Sequence, residues 1–542
     1  MTKGRGYMDI EETRAAISGE GETERAGLRR RSILKGAAWS VPAVAFAVAA
    51  PSASASVNGS IAFDQFLYQV GPNVTLTSIT GRVTVTSGSM PTSVSLEYPA
   101  GFTGPATAQV ASDGTFVVSG VVAPGEVTVG ALVASAPDLT PGTTSLQVLT
   151  NQVPAGSSGI VWGENLNNTV FRSGGGNLSY AVTPDYLNGT ATLAAGQIVA
   201  MSGGYRGANS YLVKSDNTLW SHGDGSNATA PGTTATSAGQ FTFTNLVSDE
   251  RLVDVVGFTG GGYALTSAGR VFSWGFNTGT GSLGNGTNGP DTRVPQHVRF
   301  PDGIFIRQIS ASYTGGLALD LAGQIWAWGI NDQNDTGTQQ SGNVNIPRRV
   351  VYSNGLPVVG ADEVRGRFKG GLARVGDRVL SWGTNSGGQL GSGSTSGTRG
   401  YADWVLTAPG TPLTGITSLA TAYHEAYHSV ALGSDGTVYS WGYGSYNVHS
   451  PSTVQERGYA APYAGNLPSG QVTAVALSYY GTRVLLADGT VWGWGYGSYG
   501  QGANGSTTGT IANPVQAKVN ATTPVTASGF FPASHGGIIA RA

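Results

Sequence analysis

One short unit recurs along this chain and limits what it can fold into. Its clearest copy runs from Ser429 to Gly442. Val430 and Leu432 alternate with small residues, Asp435-Gly436 marks a turn, and Val438 and Trp441 return. The pattern predicts a β-hairpin with Asp-Gly as a two-residue turn, since both central residues of such a turn take positive φ. Further copies run from Ala264 to Gly275, Ala318 to Gly329, Leu372 to Gly383 and Val484 to Gly495. A degenerate copy runs from Leu212 to Gly223, and a half copy is Val161-Trp162-Gly163. The Trp-Gly or His-Gly steps fall at 162, 222, 274, 328, 382, 441 and 494, with gaps of 60, 52, 54, 54, 59 and 53. Seven copies at one period mean stacked supersecondary units, because a single core rarely grows to the size of this repeat region.

The two ends of the array complete each other. Gly159-Ile160-Val161-Trp162 reads as a second hairpin strand without a first, and Gly536 to Ala542 as a first strand without a second. Joining them in one sheet closes a ring and removes the exposed edges of an open array. The expected fold is all-β: a seven-bladed β-propeller over 153–542, closed by its N- and C-terminal strands.

Two segments precede the repeats. In residues 1–55, Arg30-Arg31, a spacer, Ile33-Leu34 and Lys35 lead into an apolar run from Ala37 to Ala50, then Ala53-Ser54-Ala55. This resembles a twin-arginine export signal with a small-residue cleavage site. The apolar run is too short and Ala-rich to span a bilayer stably. Residues 56–152 hold short alternating runs, among them Ile61-Ala62-Phe63, Val94 to Tyr98 and Thr115 to Val118, punctuated by Pro and Gly. About seven strands in such a length suggest an immunoglobulin-like β-sandwich, a spacer or adhesion module without its own chemistry.

Charge excludes some partners. The whole chain carries 29 Lys/Arg against 31 Asp/Glu, a net charge of −2, and no Cys. There is no basic footprint for nucleic acid or anionic membrane. Without Cys there are no disulfides and no thiolate chemistry.

The fullest repeat continues Trp382-Gly383-Thr384-Asn385 into Gly388-Gln389-Leu390-Gly391, and several repeats add a Pro-x-x-Val strand, as in Pro295 to Val298 and Pro347 to Val350. With Ala-Leu and Asp-Gly-x-Val-x-x-Trp-Gly at this period, residues from about 155 onward resemble the repeats of the regulator of chromosome condensation family. The resemblance implies a seven-bladed propeller and non-catalytic protein binding. Two departures stand out: His222 replaces a Trp, and the loop Tyr443 to Asn447 lacks Gly-Gln-Leu-Gly. Secreted propellers of this family that inhibit β-lactamases are similar in outline.

Three motifs with catalytic associations fit their surroundings poorly. His424-Glu425-Ala426-Tyr427-His428 matches a zinc-protease pattern, but that chemistry needs a helix to bring both imidazoles to one face, and here the stretch runs into a strand. Gly279 to Gly284 spells Gly-x-Gly-x-x-Gly, yet Asn285 to Pro290 cannot start the helix a dinucleotide site requires. Asp332, Asn334 and Asp335 are oxygen-rich but lack the remaining ligands of a calcium loop. No cofactor, no metal site and no catalytic residue is expected.

A positional pattern carries more. An aromatic precedes the first strand of each hairpin: Tyr205, Phe258, Tyr313, Phe368, Tyr423 with Tyr427, Tyr479 with Tyr480, and Phe530 with Phe531. If that strand is innermost, a closed ring gathers them into one circle, either a binding platform or spacers packed between blades. The resulting expectation is a secreted, monomeric, non-enzymatic protein that binds an unidentified extracellular or surface protein, as an inhibitor or modulator. Glycan or cell-wall binding is the alternative. Guanine-nucleotide exchange is disfavoured for an exported chain.

Overall fold

The computed structural model describes residues 58–163, 177–182, 196–203, 209–223, 239–313, 315–420, 427–452, 456–478, 480–530 and 537–541. Residues 1–57, including Arg30, Arg31, Lys35, Ala53 and Ala55, lie outside them, as do Tyr205, Tyr423, Tyr479 and Phe531. Every described element is a strand apart from one short 3₁₀ turn at Ser445–Asn447. Among the described residues no helix is long and apolar enough to cross a membrane.

Residues 59–148 form a three-stranded sheet (Gly59–Phe63, Ile79–Val85, Thr115–Val118), a five-stranded sheet and a small two-stranded pair. Tyr68, Ile79, Val94, Phe116, Val118, Leu132 and Leu146 fill the space between the two larger sheets. Four strands were not marked by the alternating runs: Leu67–Val70, Thr107–Gln109, Val121–Val122 and Gly142–Val148. The first of these pairs in parallel with the last, a non-local pairing that has no turn signal of its own.

Seven four-stranded sheets follow among the described residues. Sheets 1 to 6 are antiparallel and lie at 198–241, 252–297, 306–349, 361–404, 416–462 and 472–516. Sheet 7 is assembled from both ends of the region, in the order Gly529–Phe530, Gly537–Arg541, Gly159–Gly163, Leu178–Val182. Gly537–Arg541 and Gly159–Gly163 pair antiparallel, Gly159 with Arg541 through Gly163 with Gly537. The first strand of each sheet touches the first strand of the next, and Gly537–Arg541 touches the first strand of sheet 1, Ile198–Gly203.

The hydrophobic core is divided accordingly. Separate clusters of buried residues fill the junctions between successive sheets, such as Ile309, Trp326 and Trp328 with Val256 and Tyr263, and Val475, Leu477 and Trp494 with Val430 and Leu432. Each repeat Trp is an anchor at one junction. Trp162, Trp274, Trp328, Trp382, Trp441 and Trp494 are all fully buried. The indole N–H of Trp328 donates to the Ser282 carbonyl (3.1 Å), Trp441 to Gln389 (2.9 Å) and Trp494 to Val448 (3.0 Å), each in the preceding sheet. Trp162 donates to the Gln501 carbonyl (2.9 Å) and so fastens sheet 7 to sheet 6. His222 is also fully buried, in the slot that Trp takes elsewhere.

Two local expectations are corrected. A further strand precedes every hairpin, so the hairpin's own first strand is second in the sheet and not innermost. The Asp435-Gly436 connection is a three-residue loop: the Gly436 N–H reaches the Gly433 carbonyl (3.0 Å), the Gly433 N–H pairs with the Thr437 carbonyl (2.8 Å), and only Gly436 has positive φ, at 84°. The Asp435 carboxylate instead accepts from the Thr437 N–H and hydroxyl (2.9 and 2.8 Å), which shapes the return of the chain.

The sandwich is bound to sheets 2 and 3. Asn151 donates its side-chain amide to the Thr266 and Ile306 carbonyls, both at 2.9 Å. Asp302 accepts from the Thr77 N–H and hydroxyl, both at 2.8 Å, and from the Ser78 N–H. These contacts fall on the hairpin turn of sheet 2 and the linker leading into sheet 3.

Candidate recognition surface

In an up-and-down sheet, the turn between strands one and two and the loop after strand three lie at the same end. The sandwich contacts occupy the other end of sheets 2 and 3. Aromatic residues gather at the first end. Tyr313 lies between Ile306–Ala311 and Gly315–Asp320, Phe368 between Ala361–Arg367 and Gly370–Val375, Tyr427 just before His428–Gly433, and Tyr480 just before Gly481–Leu486.

The sheets bring these four side chains into a continuous row. Ring centroids are 5.1 Å apart for Tyr313 and Phe368, 4.4 Å for Phe368 and Tyr427, and 5.7 Å for Tyr427 and Tyr480. The last two pairs stack with planes 28° and 25° apart. All four side chains are half-buried. They meet each other across sheet boundaries and also retain solvent-facing area.

The row continues into residues the sequence reading did not select. Tyr443 ends the third strand of sheet 5 and Tyr446 follows it; Tyr496 ends that of sheet 6 and Tyr499 follows it. Tyr480 is 5.8 Å from Tyr443 and 5.0 Å from Tyr446; Tyr446 is 4.7 Å from Tyr496, and Tyr496 is 5.4 Å from Tyr499. A signal for them was present. Trp-Gly-Tyr-Gly-Ser-Tyr occurs twice, at 441–446 and 494–499. The loop read as a departure from the repeat is therefore one of the two that supply this surface.

Two candidates lie elsewhere. Phe258 is buried, 3 % exposed, and stacks on Tyr263 at 4.9 Å. Its pairing with Gly261 makes it the equivalent of Arg367, which pairs with Gly370, and not of Phe368. A one-residue offset turns a side chain to the opposite face. Phe530 belongs to the first strand of sheet 7 and packs against the cluster holding Leu485 and Val491.

Buried polar groups support the surface from beneath. Arg483 donates to the Trp494 carbonyl (3.0 Å) and the Gln501 carbonyl (2.7 Å), and the Gln501 side chain accepts from the Tyr499 N–H (2.8 Å). Arg367 similarly reaches the Thr384 and Trp382 carbonyls at 2.9 and 2.6 Å. Burial lowers both guanidinium pKa values to about 9. On the surface, Lys369 pairs with Asp332 at 2.8 Å. Asp335 beside it is buried, with no hydrogen bond to its carboxylate from any described residue. Burial, then the neighbouring Asp332, raises its pKa to about 7.

Among the described residues, the motifs with catalytic associations form no assembled site. His428 lies inside a strand, fully buried, with Nε2 3.1 Å from the Thr482 hydroxyl. Burial, then His449 and Arg483, lowers its pKa to about 3. His424 and Glu425 lie outside the described residues. Among the described residues no group of three His, Cys, Asp or Glu could hold a metal ion. Gly279 to Gly284 is a loop without a following helix. Asn277 braces it, accepting from the Leu283 N–H (3.2 Å) and donating to the Thr287 hydroxyl (3.1 Å). Asn385 repeats this role in sheet 4, accepting from the Leu390 N–H at 2.9 Å.

Comparison with known proteins supports the repeat reading. Residues 268–319 match a family model described as the Regulator of chromosome condensation (RCC1) repeat, and 426–447 and 472–501 match a second model of that description. The chain is 28% identical over 253 residues to the E3 ubiquitin-protein ligase HERC2 of Homo sapiens, covering 45% of this chain and 5% of that protein. It is 27% identical over 240 residues to the RCC1 domain-containing protein RUG3, mitochondrial, of Arabidopsis thaliana, covering 43% and 51%. The chain thus spans about half or less of the length of these relatives. Among solved structures, Prp20p from Saccharomyces cerevisiae superposes with a TM-score of 0.56 at 18% identity, covering 72% of this chain and 92% of that one. Human WBSCR16 superposes with a TM-score of 0.55 at 18% identity, covering 71% and 98%. The chain carries RCC1-type repeats and has an RCC1-like propeller fold.

Proposed function

We propose that this chain is an exported, non-catalytic recognition protein. In this reading the seven sheets are the blades of a closed seven-bladed propeller, and the N-terminal sheets form an immunoglobulin-like spacer on the opposite side from the binding surface. The Arg30-Arg31 leader directs export, and the partner is an extracellular or surface protein whose activity is inhibited or modulated. The observation that carries the reading is the unbroken aromatic row from Tyr313 to Tyr499, at the end of the sheets away from the sandwich contacts. Aromatic side chains offer large contact area for little lost freedom, which suits a protein interface. Prp20p, a propeller of the same fold, was described with its binding properties to Gsp1p and histones, and protein binding is the use carried over here.

The test is affinity capture from the secreted and surface fractions of the producing organism. Wild-type chain is compared with Phe368→Ala combined with Tyr480→Ala. A defined polypeptide recovered by wild type and lost with the double variant, at unchanged melting temperature, is the expected result. Retention on cell-wall polysaccharide with no polypeptide recovered overturns the reading in favour of a glycan ligand.

A further inference from the structure

The aromatic row is not uniform along its length. Tyr313, Phe368 and Tyr427 form a single file, one ring per sheet. At sheets 5 and 6 the row broadens, because the ends of the third strands add Tyr443 and Tyr496, and the loops after them add Tyr446 and Tyr499, around Tyr480. Most neighbouring rings are inclined: Tyr313 and Phe368 by 59°, Tyr446 and Tyr480 by 40°, Tyr446 and Tyr496 by 63°, and Tyr496 and Tyr499 by 78°. Tyr446 with Tyr496, and Tyr496 with Tyr499, meet edge to face. Such a surface is less suited to flat sugar rings, since neighbouring rings already cover part of the aromatic faces.

Backbone strain falls at the centre of this patch. Tyr446 has φ 60° and ψ 30°, and Asn447 has φ 63°. The left-handed region is unfavourable for a bulky residue and is tolerated where the surroundings enforce it, often at a functional position. The Asn447 side-chain amide donates to the Pro451 carbonyl and fixes the turn. The outcome is that Tyr446 is held 38 % exposed between two other tyrosines.

Composition and charge indicate the occupant. Tyr443-Gly444-Ser445-Tyr446-Asn447 and Tyr496-Gly497-Ser498-Tyr499-Gly500-Gln501 contain no charged residue. Tyr with Gly, Ser and Asn is the composition of antibody contact loops, in which rigid tyrosines anchor and small polar residues adapt to a folded epitope. We infer that these tandem loops, with Tyr446 at their centre, are the energetic core of the interface. The epitope they take is an uncharged loop of a folded protein. This rests on the protein-binding reading above and locates its binding energy in sheets 5 and 6.

The probe is the polypeptide captured by the wild-type chain, purified and titrated by surface plasmon resonance against full-length variants. Tyr446→Gly removes the ring and relieves the left-handed strain, so it is expected to keep or raise the melting temperature while weakening affinity about 30-fold or more, mainly through faster dissociation. Tyr496→Ala is expected to act in the same direction. Phe66→Ala, at an exposed residue of the N-terminal sheets outside the row, is expected to stay within about threefold. Affinity is expected to change less than about threefold between roughly 50 and 500 mM salt, since no charge pair lies at the core. A larger loss from Tyr313→Ala or Phe368→Ala than from Tyr446→Gly overturns the inference and leaves the protein-binding reading standing. Steep salt dependence also overturns it. Affinity unchanged in every aromatic variant, or no captured polypeptide, overturns both.

Discussion

Phe368 and Tyr427 stack with their ring centroids 4.4 Å apart and their planes 28° from parallel, although they belong to different repeats. Each sits in the turn between the first two strands of its sheet. Neighbouring sheets place these turns side by side, so a periodic feature of the sequence becomes a continuous surface. The same arrangement explains why the repeat Trp residues reach backward to the preceding sheet. The backward hydrogen bond is made by Trp162, Trp328, Trp441 and Trp494, and the ring contact between turns recurs from sheet 3 to sheet 6.

Closure can be tested by truncation. Gly537–Arg541 is an inner strand of sheet 7, paired on one side with Gly529–Phe530 and on the other with Gly159–Gly163. Deleting 537–542 removes ladder hydrogen bonds worth about 1 kcal/mol each and exposes two new edges. The expected outcome is a large fall in melting temperature with aggregation on size-exclusion chromatography. A truncated chain as stable as wild type would show that the sheets do not depend on closure.

A single methyl group tests the junction packing. A Cβ at Gly316 would lie 2.1 Å from Cζ2 of Trp328. Trp328 is fully buried and tied to Ser282, so it cannot withdraw cheaply. Gly316→Ala is expected to cost about 1–3 kcal/mol in urea unfolding, the usual range for overpacking. Gly376→Ala is a contrasting control for the backbone, because a Cβ there meets nothing within 4 Å while its φ is 59°. A neutral result at Gly316 would mean that the Trp is less tightly held than its contacts indicate.

One buried carboxylate and two buried imidazoles give stability opposite dependences on pH. The Asp335 pKa is raised to about 7. Its contribution is fully present below the ordinary carboxylate pKa and is lost as pH rises through about 7. His428 and His449 are lowered to about 3 and about 4. Their contribution is present above the ordinary imidazole pKa and is lost as pH falls toward those values. Asp335→Asn is therefore expected to raise the melting temperature at pH 8, with the gain fading toward pH 4. His428→Asn is expected to flatten the loss of stability between pH 6 and pH 4. Parallel pH profiles for wild type and both variants would contradict these assignments.

The attachment of the sandwich depends heavily on one carboxylate. Asp302→Ala removes the acceptor for the Thr77 N–H and hydroxyl and the Ser78 N–H. Hydrogen bonds to a charged group contribute about 1.5–3 kcal/mol when well formed, and less at an exposed site such as this one. The expected outcome is faster proteolysis between residues 150 and 157, with the propeller's own melting transition little changed. Protection equal to wild type would assign the attachment to Asn151 instead.

The period was legible because the residue that marks it, Trp, is also the residue that each junction buries. The inner strands were not. Leu252–Phe258, Ile306–Ala311 and Ala361–Arg367 share neither an apolar pattern nor fixed punctuation, so each hairpin looked like the start of its sheet. That hid the one-residue offset that buries Phe258 and leaves Phe368 half-exposed. Tyr446 was visible but discounted, since its loop was judged by the missing Gly-Gln-Leu-Gly and not by its own repetition at Tyr499. The offset and the duplication both become clear only when strand registers align the repeats residue by residue.

The central claim is that partner binding occurs on the aromatic end of the sheets, and hydrogen–deuterium exchange with and without the captured polypeptide tests it most directly. The account predicts slowed exchange at 443–447, 480–482 and 496–501, with no change at 266–270 or 302–306. Protection confined to the sandwich, or to the hairpin turns at the opposite end, would contradict it.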